Sequence, residues 1–217
     1  MVAKKVFSTV IKRYTTLSSA LDTLTHGHLT FLNTEKWDDT NDAYFIDLYR
    51  KIEGAGSAVA ICCTMAAETY HHWRVFTTGM EGACLEFKRV PLQTALKPPA
   101  TSRGGAVRYV TLAELNGEEF TLRDLPMLKR YGYRDEREWR SLLLLPNENV
   151  RAHNIPIPLS TLKRVILNPW LPPPLFNTIK ATIHAIPGCE HIKVVPSSLI
   201  SNSRWKAEGD RLAAKAK

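Results

Sequence analysis

The sequence predicts an α+β fold, a mixed and mostly antiparallel sheet with short helices packed on it. Three observations point there. Short β-branched and apolar runs recur along the chain, and the helical spacings between them do not alternate strictly with the strands. The 217 residues, 44% of them hydrophobic, suffice for one well-filled core. There is no internal repeat or low-complexity segment, so one domain over 1–203 with a basic tail over 204–217 is the expected organisation.

Val6–Tyr14 is β-branched and aromatic enough for a first strand. Thr16 or Ser18 can cap a helix with Leu17, Leu21 and Leu24 on one face, ended by Gly27. Leu29–Leu32 reads as a second strand. The acidic stretch from Trp37 to Asp42 is turn-prone, because Asp and Asn bond their local backbone. It leads into a helix with Phe45, Leu48, Tyr49 and Ile52 at helical spacing before Gly54. Ala58–Thr64 is a buried-type strand, and Glu68–Phe76 a short helix stopped near Gly79. Gly82–Phe87 and Val107–Val110 are further strands, separated by a loop from Lys97 to Gly105. Leu122–Leu128 is a connector of ambiguous pattern. Trp139–Leu145 and Val165–Leu167 are strands. Pro172 starts a helix running to Ile186, where a missing N–H is harmless, and Ile192–Val195 is the last strand.

Composition narrows the function. No apolar run approaches the ~18–20 residues of a membrane span. The opening Met-Val-Ala-Lys-Lys-Val-Phe-Ser lacks the apolar stretch of a secretory signal, so a cytoplasmic protein with no membrane partner is expected. Four cysteines, with Cys62 and Cys63 adjacent, form neither a disulfide framework nor a Cys-x-x-Cys zinc pattern. The net charge of +8 and a pI of about 9.4 favour polyanionic partners, nucleic acid above all. Part of that excess lies in the tail, where it can equally be a solvated helix end. There is no phosphate-binding glycine loop, dinucleotide fingerprint or Gly-x-Ser-x-Gly elbow.

The richest segment is Tyr133-Arg-Asp-Glu-Arg-Glu-Trp-Arg140, running into Ser141 and four leucines. On a strand, Glu136, Glu138 and Arg140 would share one face. Two carboxylates at the rim of a buried sheet need partners. They form either a salt-bridge ladder with Arg134, Arg137 or Arg140, or a catalytic Glu-x-Glu pair. Asp38, Asp39 and Asp42 read chiefly as helix caps. A metal-dependent nuclease built from Asp38, Asp39 and His72 is a further alternative, although the neighbouring His71 and His72 diverge by ~100° on a helix and no metal site is expected.

The segments Lys12-Arg-Tyr14, Trp37-Asp-Asp-Thr-Asn-Asp42, Ile61-Cys-Cys-Thr64, His72-Trp73, Gly82-Ala-Cys-Leu-Glu-Phe87, Val107-Arg-Tyr109, Glu136-Arg-Glu-Trp-Arg140 and Val165-Ile-Leu-Asn168 resemble, in order, the bacterial family called domain of unknown function 2971. More loosely, an arginine on the first strand, a hydroxyl residue ending another strand and then Glu-x-Glu is similar to the NAD-dependent ADP-ribosyltransferases. Cys-Cys-Thr stands here where that fold has Ser-Thr-Ser. The second resemblance implies an ADP-ribosyltransferase-like domain that consumes NAD. Glu138 would then be the catalytic glutamate and Glu136 the residue that orients or activates the acceptor. Arg13, Tyr14, Thr64 and Trp73 would contact NAD, with Arg13 on the phosphates and Trp73 as a pocket wall. Arg134 and Arg140 would contact the acceptor. With this charge the acceptor expected is nucleic acid, RNA before DNA. Such enzymes resemble the toxins of toxin–antitoxin or phage-defence modules, so a protein antitoxin is an expected partner. The alternative is a non-catalytic nucleic-acid-binding or interaction module.

Overall fold

The computed structural model describes residues 8–77, 79–98, 102–117 and 119–215. The strands are β1 (Val10–Thr16), β2 (His28–Asn33), β3 (Ser57–Thr64), β4 (Gly82–Lys88), β5 (Arg103–Ala106), β6 (Arg108–Val110), β7 (Leu128–Arg130), β8 (Glu138–Leu145), β9 (Ala152–Pro156), β10 (Leu162–Leu167) and β11 (Val194–Pro196). The helices are α1 (Leu17–His26), α2 (Thr40–Ile52), α3 (Tyr70–Phe76), α4 (Arg89–Ala95), α5 (Leu112–Gly117), α6 (Pro173–His184) and α7 (Ser203–Ala214). The arrangement is the α+β class expected, in one main sheet that is antiparallel except where β10 meets β11.

Local chemistry explains several boundaries. Thr16 caps α1 by accepting from the Ser19 N–H, and Gly27 ends the helix in the left-handed region at φ 63°. Asp39 caps α2, its carboxylate accepting from the N–H groups of Asn41 and Asp42. Thr69 caps α3 in the same way through His72 N–H. The expected first strand is shifted to Val10–Thr16, with Val6 and Phe7 outside the described residues.

The main sheet runs β11-β10-β4-β1-β3-β2-β9, and it branches at β3. On one edge of β3, β8 pairs along the whole strand from Ser57↔Leu145 to Thr64↔Glu138, and β5 continues outward from β8. On the other edge, β2 pairs near Val59 and Ala60, whereas β1 touches only at Lys12↔Thr64. β1 and β2 therefore splay apart on one edge of β3, with α1 joining them. The core lies on the α1 and α6 side, around Leu24, Phe31, Ile61, Leu85 and Ile183. A smaller cluster packs Ile46 and Tyr49 of α2 on Ala58, Ala60 and Leu142. Between these layers the C-terminal end of β3 and the start of β8 are left to line a cleft. Parallel β6 and β7 make a small separate sheet, from which Lys129 reaches the cleft.

β5 takes up the end of the stretch expected as a loop and runs one residue past it, because two glycines at 104 and 105 hide an extended segment paired on β8. β9 had no alternating pattern to find: it is a mostly exposed edge strand on β2. The stretch expected as a basic tail is the helix α7, every described residue of which is exposed. Among the described residues, no helix is long and apolar enough to cross a membrane.

Candidate active site

A cleft of about 440 Å³ opens at the branch point, and Glu138 lies at its floor. Register does the positioning. Glu138 and Arg140 stand opposite Thr64 and Cys62 on the paired strand, so alternation turns all four toward the cleft side of the sheet. Three contacts pin the backbone entering β8. Thr64 Oγ1 donates to the Glu136 carbonyl at 2.5 Å, Met65 N–H donates to the Arg137 carbonyl, and Glu138 N–H donates to the Tyr109 hydroxyl at 2.7 Å.

The expected strand over Glu136–Arg140 begins only at Glu138. Glu136 ends a 3₁₀ segment over Tyr131–Glu136, and Arg137 sits in the left-handed region at φ 44°. Simple alternation therefore fails at that point. The two carboxylates meet all the same, through a lysine from another strand. Lys129 Nζ lies 2.8 Å from Glu136 Oε2, 3.2 Å from Glu138 Oε2 and 3.8 Å from Asp42 Oδ2. Lys129 was missed in the sequence because it sits on a three-residue strand after a connector without periodicity.

Arg140 is fully buried, and all five of its N–H directions are used. Nε donates to Glu138 Oε1 at 2.7 Å and Nη2 to Glu138 Oε2 at 3.0 Å. Nη1 and Nη2 form a fork onto Asp42 at 2.7 and 2.5 Å, and Nη1 also reaches the Pro126 carbonyl. The guanidinium lies 5.0 Å from the centre of the Trp37 ring. Arg140 is therefore not an acceptor-binding residue, because no donor is left for a substrate. It braces Glu138 against α2.

The environment separates the two glutamates. Burial raises the Glu138 carboxyl, but the Arg140 guanidinium and Lys129 outweigh it and hold the group below the ordinary range. Burial also raises Glu136, and there the single partner Lys129 does not compensate, so its carboxyl stays above the ordinary range. Burial pushes up the Cys62 thiol, and the adjacent Glu138 charge adds to that, which disfavours a thiolate nucleophile here.

The expected NAD contacts divide between the two faces of β1. Lys12 and Tyr14 line the cleft, whereas Arg13 points to the opposite side. There Arg13 Nη1 donates to the Cys62 carbonyl at 3.3 Å, in the gap where β1 leaves β3. Arg13 therefore cannot clamp phosphates in this cleft; strand alternation turns Lys12 to the cleft instead, and its ammonium donates to the Ala66 carbonyl at 2.8 Å. Thr64 lines the cleft, although its hydroxyl holds a backbone carbonyl rather than a carboxylate. Trp73 is a core residue and not a pocket wall: it is buried behind Tyr14, edge-on at 4.9 Å, with its Nε1–H on Glu68. Arg134 is exposed on the 3₁₀ segment over the Tyr131 ring, next to the cleft-lining Tyr133.

Asp38 and Asp39 line the cleft, but His72 does not join them. It is buried, bonded through Nδ1 to Thr69 and stacked on Tyr14 at 5.2 Å. A nuclease centre of Asp38, Asp39 and His72 is therefore excluded on geometry. Asp42 pairs with Arg140, and Asp39 is a cap, as expected for that residue.

No family model matches the chain, and no curated protein matches it, so the resemblance to domain of unknown function 2971 gains no support there. Among solved structures the chain is similar to DarT from Thermus sp. 2.9. Against the complex with NAD+ the TM-score is 0.43 at 10% identity, over 88% of this chain and 96% of that one. Against the complex with ADP-ribosylated ssDNA it is 0.45 at 11% identity, over 88% and 94%. Against the complex with carba-NAD+ it is 0.43 at 11% identity, over 88% and 96%. At TM-scores below 0.5 this likeness carries no argument about activity, and the cleft's own geometry has to carry any functional reading.

Proposed function

We propose that the cleft binds NAD and transfers its ADP-ribose to nucleic acid. The observation that carries this reading is the pair of glutamates at the cleft floor, close in space and driven apart in acidity. Breaking the bond from ribose C1′ to the nicotinamide nitrogen sends the electron pair to nicotinamide and leaves an oxocarbenium-like sugar. Glu138, held ionised and fixed by Arg140, is placed to bond a ribose hydroxyl and stabilise that developing positive charge. Glu136 is less acidic and paired with Lys129 alone. It takes the proton from the acceptor atom as that atom bonds C1′, a role that suits a raised pKa. Lys12 has two N–H directions beyond its Ala66 bond and takes the place first given to Arg13 on the pyrophosphate. Tyr14 and Thr64 line the way between, and exposed Arg134, next in sequence to the cleft-lining Tyr133, is proposed to take acceptor phosphate.

A nucleic-acid acceptor is supported by the charge of +8. The charge does not separate RNA from DNA, so the experiment carries both arms. Protein and labelled NAD are incubated with total RNA, single-stranded DNA and total protein. Label on either nucleic acid, lost in Glu138→Gln while circular dichroism shows the variant still folded at the assay temperature, is the expected result. Absence of transfer to every acceptor removes the reading. An enzyme that modifies nucleic acid needs restraint, so the proposal includes a protein antitoxin, read out as growth arrest on expression that Glu138→Gln relieves.

One observation favours a second reading. Both Glu138 oxygens are already bonded by Arg140, as a purely structural ion pair in a nucleic-acid-binding module would be. In that case NAD does not bind and no acceptor is labelled, whereas the cost of about 1–3 kcal/mol for Glu138→Gln, from Arg140 donors left unpaired, is common to both readings.

A further inference from the structure

The far end of α1 holds a cluster that the cleft does not use. Asp22 and His26 are one helical turn apart and share a face. Gly27 then reverses the chain in the left-handed region, which brings His28, the first residue of β2, back beside His26. The two imidazoles stack at 5.4 Å with their planes 10° apart. One carboxylate serves both rings: Asp22 Oδ1 lies 3.1 Å from His26 Nδ1, and Oδ2 lies 2.8 Å from His28 Nε2. The three donor atoms all fall within 4.8 Å of one another.

We propose that Asp22, His26 and His28 form a binding site for a divalent transition-metal ion, with Zn²⁺ the expected occupant. Two imidazole nitrogens and one carboxylate oxygen are ligands that zinc takes, at about 2.0–2.2 Å each in a tetrahedron, which sets the donors roughly 3.3 Å apart. Each ring nitrogen is near that distance from one Asp22 oxygen, His26 from Oδ1 and His28 from Oδ2, so the carboxylate has to turn a single oxygen toward the ion or chelate with both. The remaining adjustment falls on His26, whose side chain is 58% exposed and on an exposed helix end. His28 is held by the pairing of β2 with β9, where it stands opposite Pro156. Calcium and magnesium prefer all-oxygen sites, so the two imidazoles select against them. The fourth position opens to solvent beside His26. Two features work against the ion: His26 Nδ1 also lies 3.1 Å from the Asp22 carbonyl, and Arg13 lines the same shallow depression as Asp22. They place the site among moderate binders that staple α1 to β2 across the Gly27 turn, independently of any reaction in the cleft.

The test uses tag-free, chelator-stripped full-length protein, titrated with Zn²⁺ against a chromophoric chelator and separately with Co²⁺. One equivalent of Zn²⁺ is expected to bind and raise Tm, and Co²⁺ to give a visible d–d band. His26→Gln and His28→Gln should each weaken binding by at least about tenfold, the scale on which even outer-shell changes act, and abolish the band with circular dichroism unchanged. Binding that survives both substitutions would put the metal elsewhere, on the thiols for instance, and overturn the proposal, as would the absence of saturable binding. Should His28→Gln fail to fold, the exposed His26→Gln decides alone.

Discussion

Replacing Arg140 by Met separates a brace from a substrate contact, and its cost can be worked from the structure. The substitution keeps much of the buried volume and deletes five hydrogen bonds, two to Asp42, two to Glu138 and one to the Pro126 carbonyl. Removing one partner of a buried ion pair costs about 3–5 kcal/mol, since the other charge is left uncompensated. Here Glu138 keeps Lys129 at 3.2 Å, while Asp42 keeps it only at 3.8 Å. That partial rescue puts the loss near the lower end, about 3 kcal/mol. For a domain of this size it corresponds to a fall in Tm of roughly 6–12 °C. Urea denaturation of Arg140→Met, Asp42→Asn and the double variant measures the coupling. The double variant is expected to lose less than the sum of the two single losses, because removing the orphaned carboxylate removes its penalty. A Tm within about 2 °C of wild type, together with abolished NAD affinity, would refute the brace and return Arg140 to the substrate.

Three further outcomes follow from the same geometry. Arg13→Ala should leave NAD affinity unchanged, whereas Lys12→Met should weaken it roughly 10- to 100-fold, the scale of one charge-assisted hydrogen bond; isothermal titration that ranked the two the other way would reverse the assignment of the faces of β1. Glu138 has a folded pKa held below its ordinary value, so its stabilising contribution is present above the usual carboxylate range and is lost as pH falls through the folded value. Wild type should therefore lose more stability than Glu138→Gln between neutral pH and about pH 3, and parallel pH profiles would contradict that. Glu136, raised instead, must be ionised to accept a proton, so transfer should rise with pH through a step above the usual carboxylate range; Glu136→Gln should remove the step and leave NAD binding in place.

The helices were the most legible part of the chain, because their caps and glycine stops are local. Thr16, Asp39 and Gly27 act where the sequence placed them, whereas Thr69 caps α3 from within the stretch expected as helix. The core strands β3, β4, β8 and β10 were legible as apolar runs. What could not be read was anything set by partners distant in sequence. Whether Lys12 or Arg13 faces the cleft depends on which side of β1 receives α1, and a strand buried on both faces gives no polar signal to choose. Trp73 reads from the sequence as either core or pocket wall, and the Tyr14 ring stands between it and the cleft. Arg137 broke the Glu-x-Glu alternation without a glycine to announce a left-handed residue. Lys129, which joins the glutamates, had no signature at all.

The net charge is the sequence feature whose meaning the structure changes most. A chain of +8 suggests an anion-binding surface throughout, but its cleft is acidic. Asp38, Asp39, Asp42, Glu136 and Glu138 line it against only Lys12 and Lys129, and Arg140 from beneath is spent on Asp42 and Glu138. Basic charge is thus left outside to attract a polyanion, while the floor selects a cation. Of the two redox forms of the proposed substrate, only the oxidised one carries a positive nicotinamide ring. One unit charge about 6 Å from one uncompensated carboxylate gains at most about 3 kcal/mol at an effective dielectric of 20, and solvent in an open cleft reduces that to about 1–2 kcal/mol. NAD+ should therefore bind on the order of tenfold more tightly than NADH. Raising ionic strength should narrow the ratio only slightly, because charges this close lie within the Debye length. Equal affinities, measured by titration with the Glu138→Gln variant as reference, would mean that the acidic floor does not face the nicotinamide end, and the role given to Glu138 would fall with it.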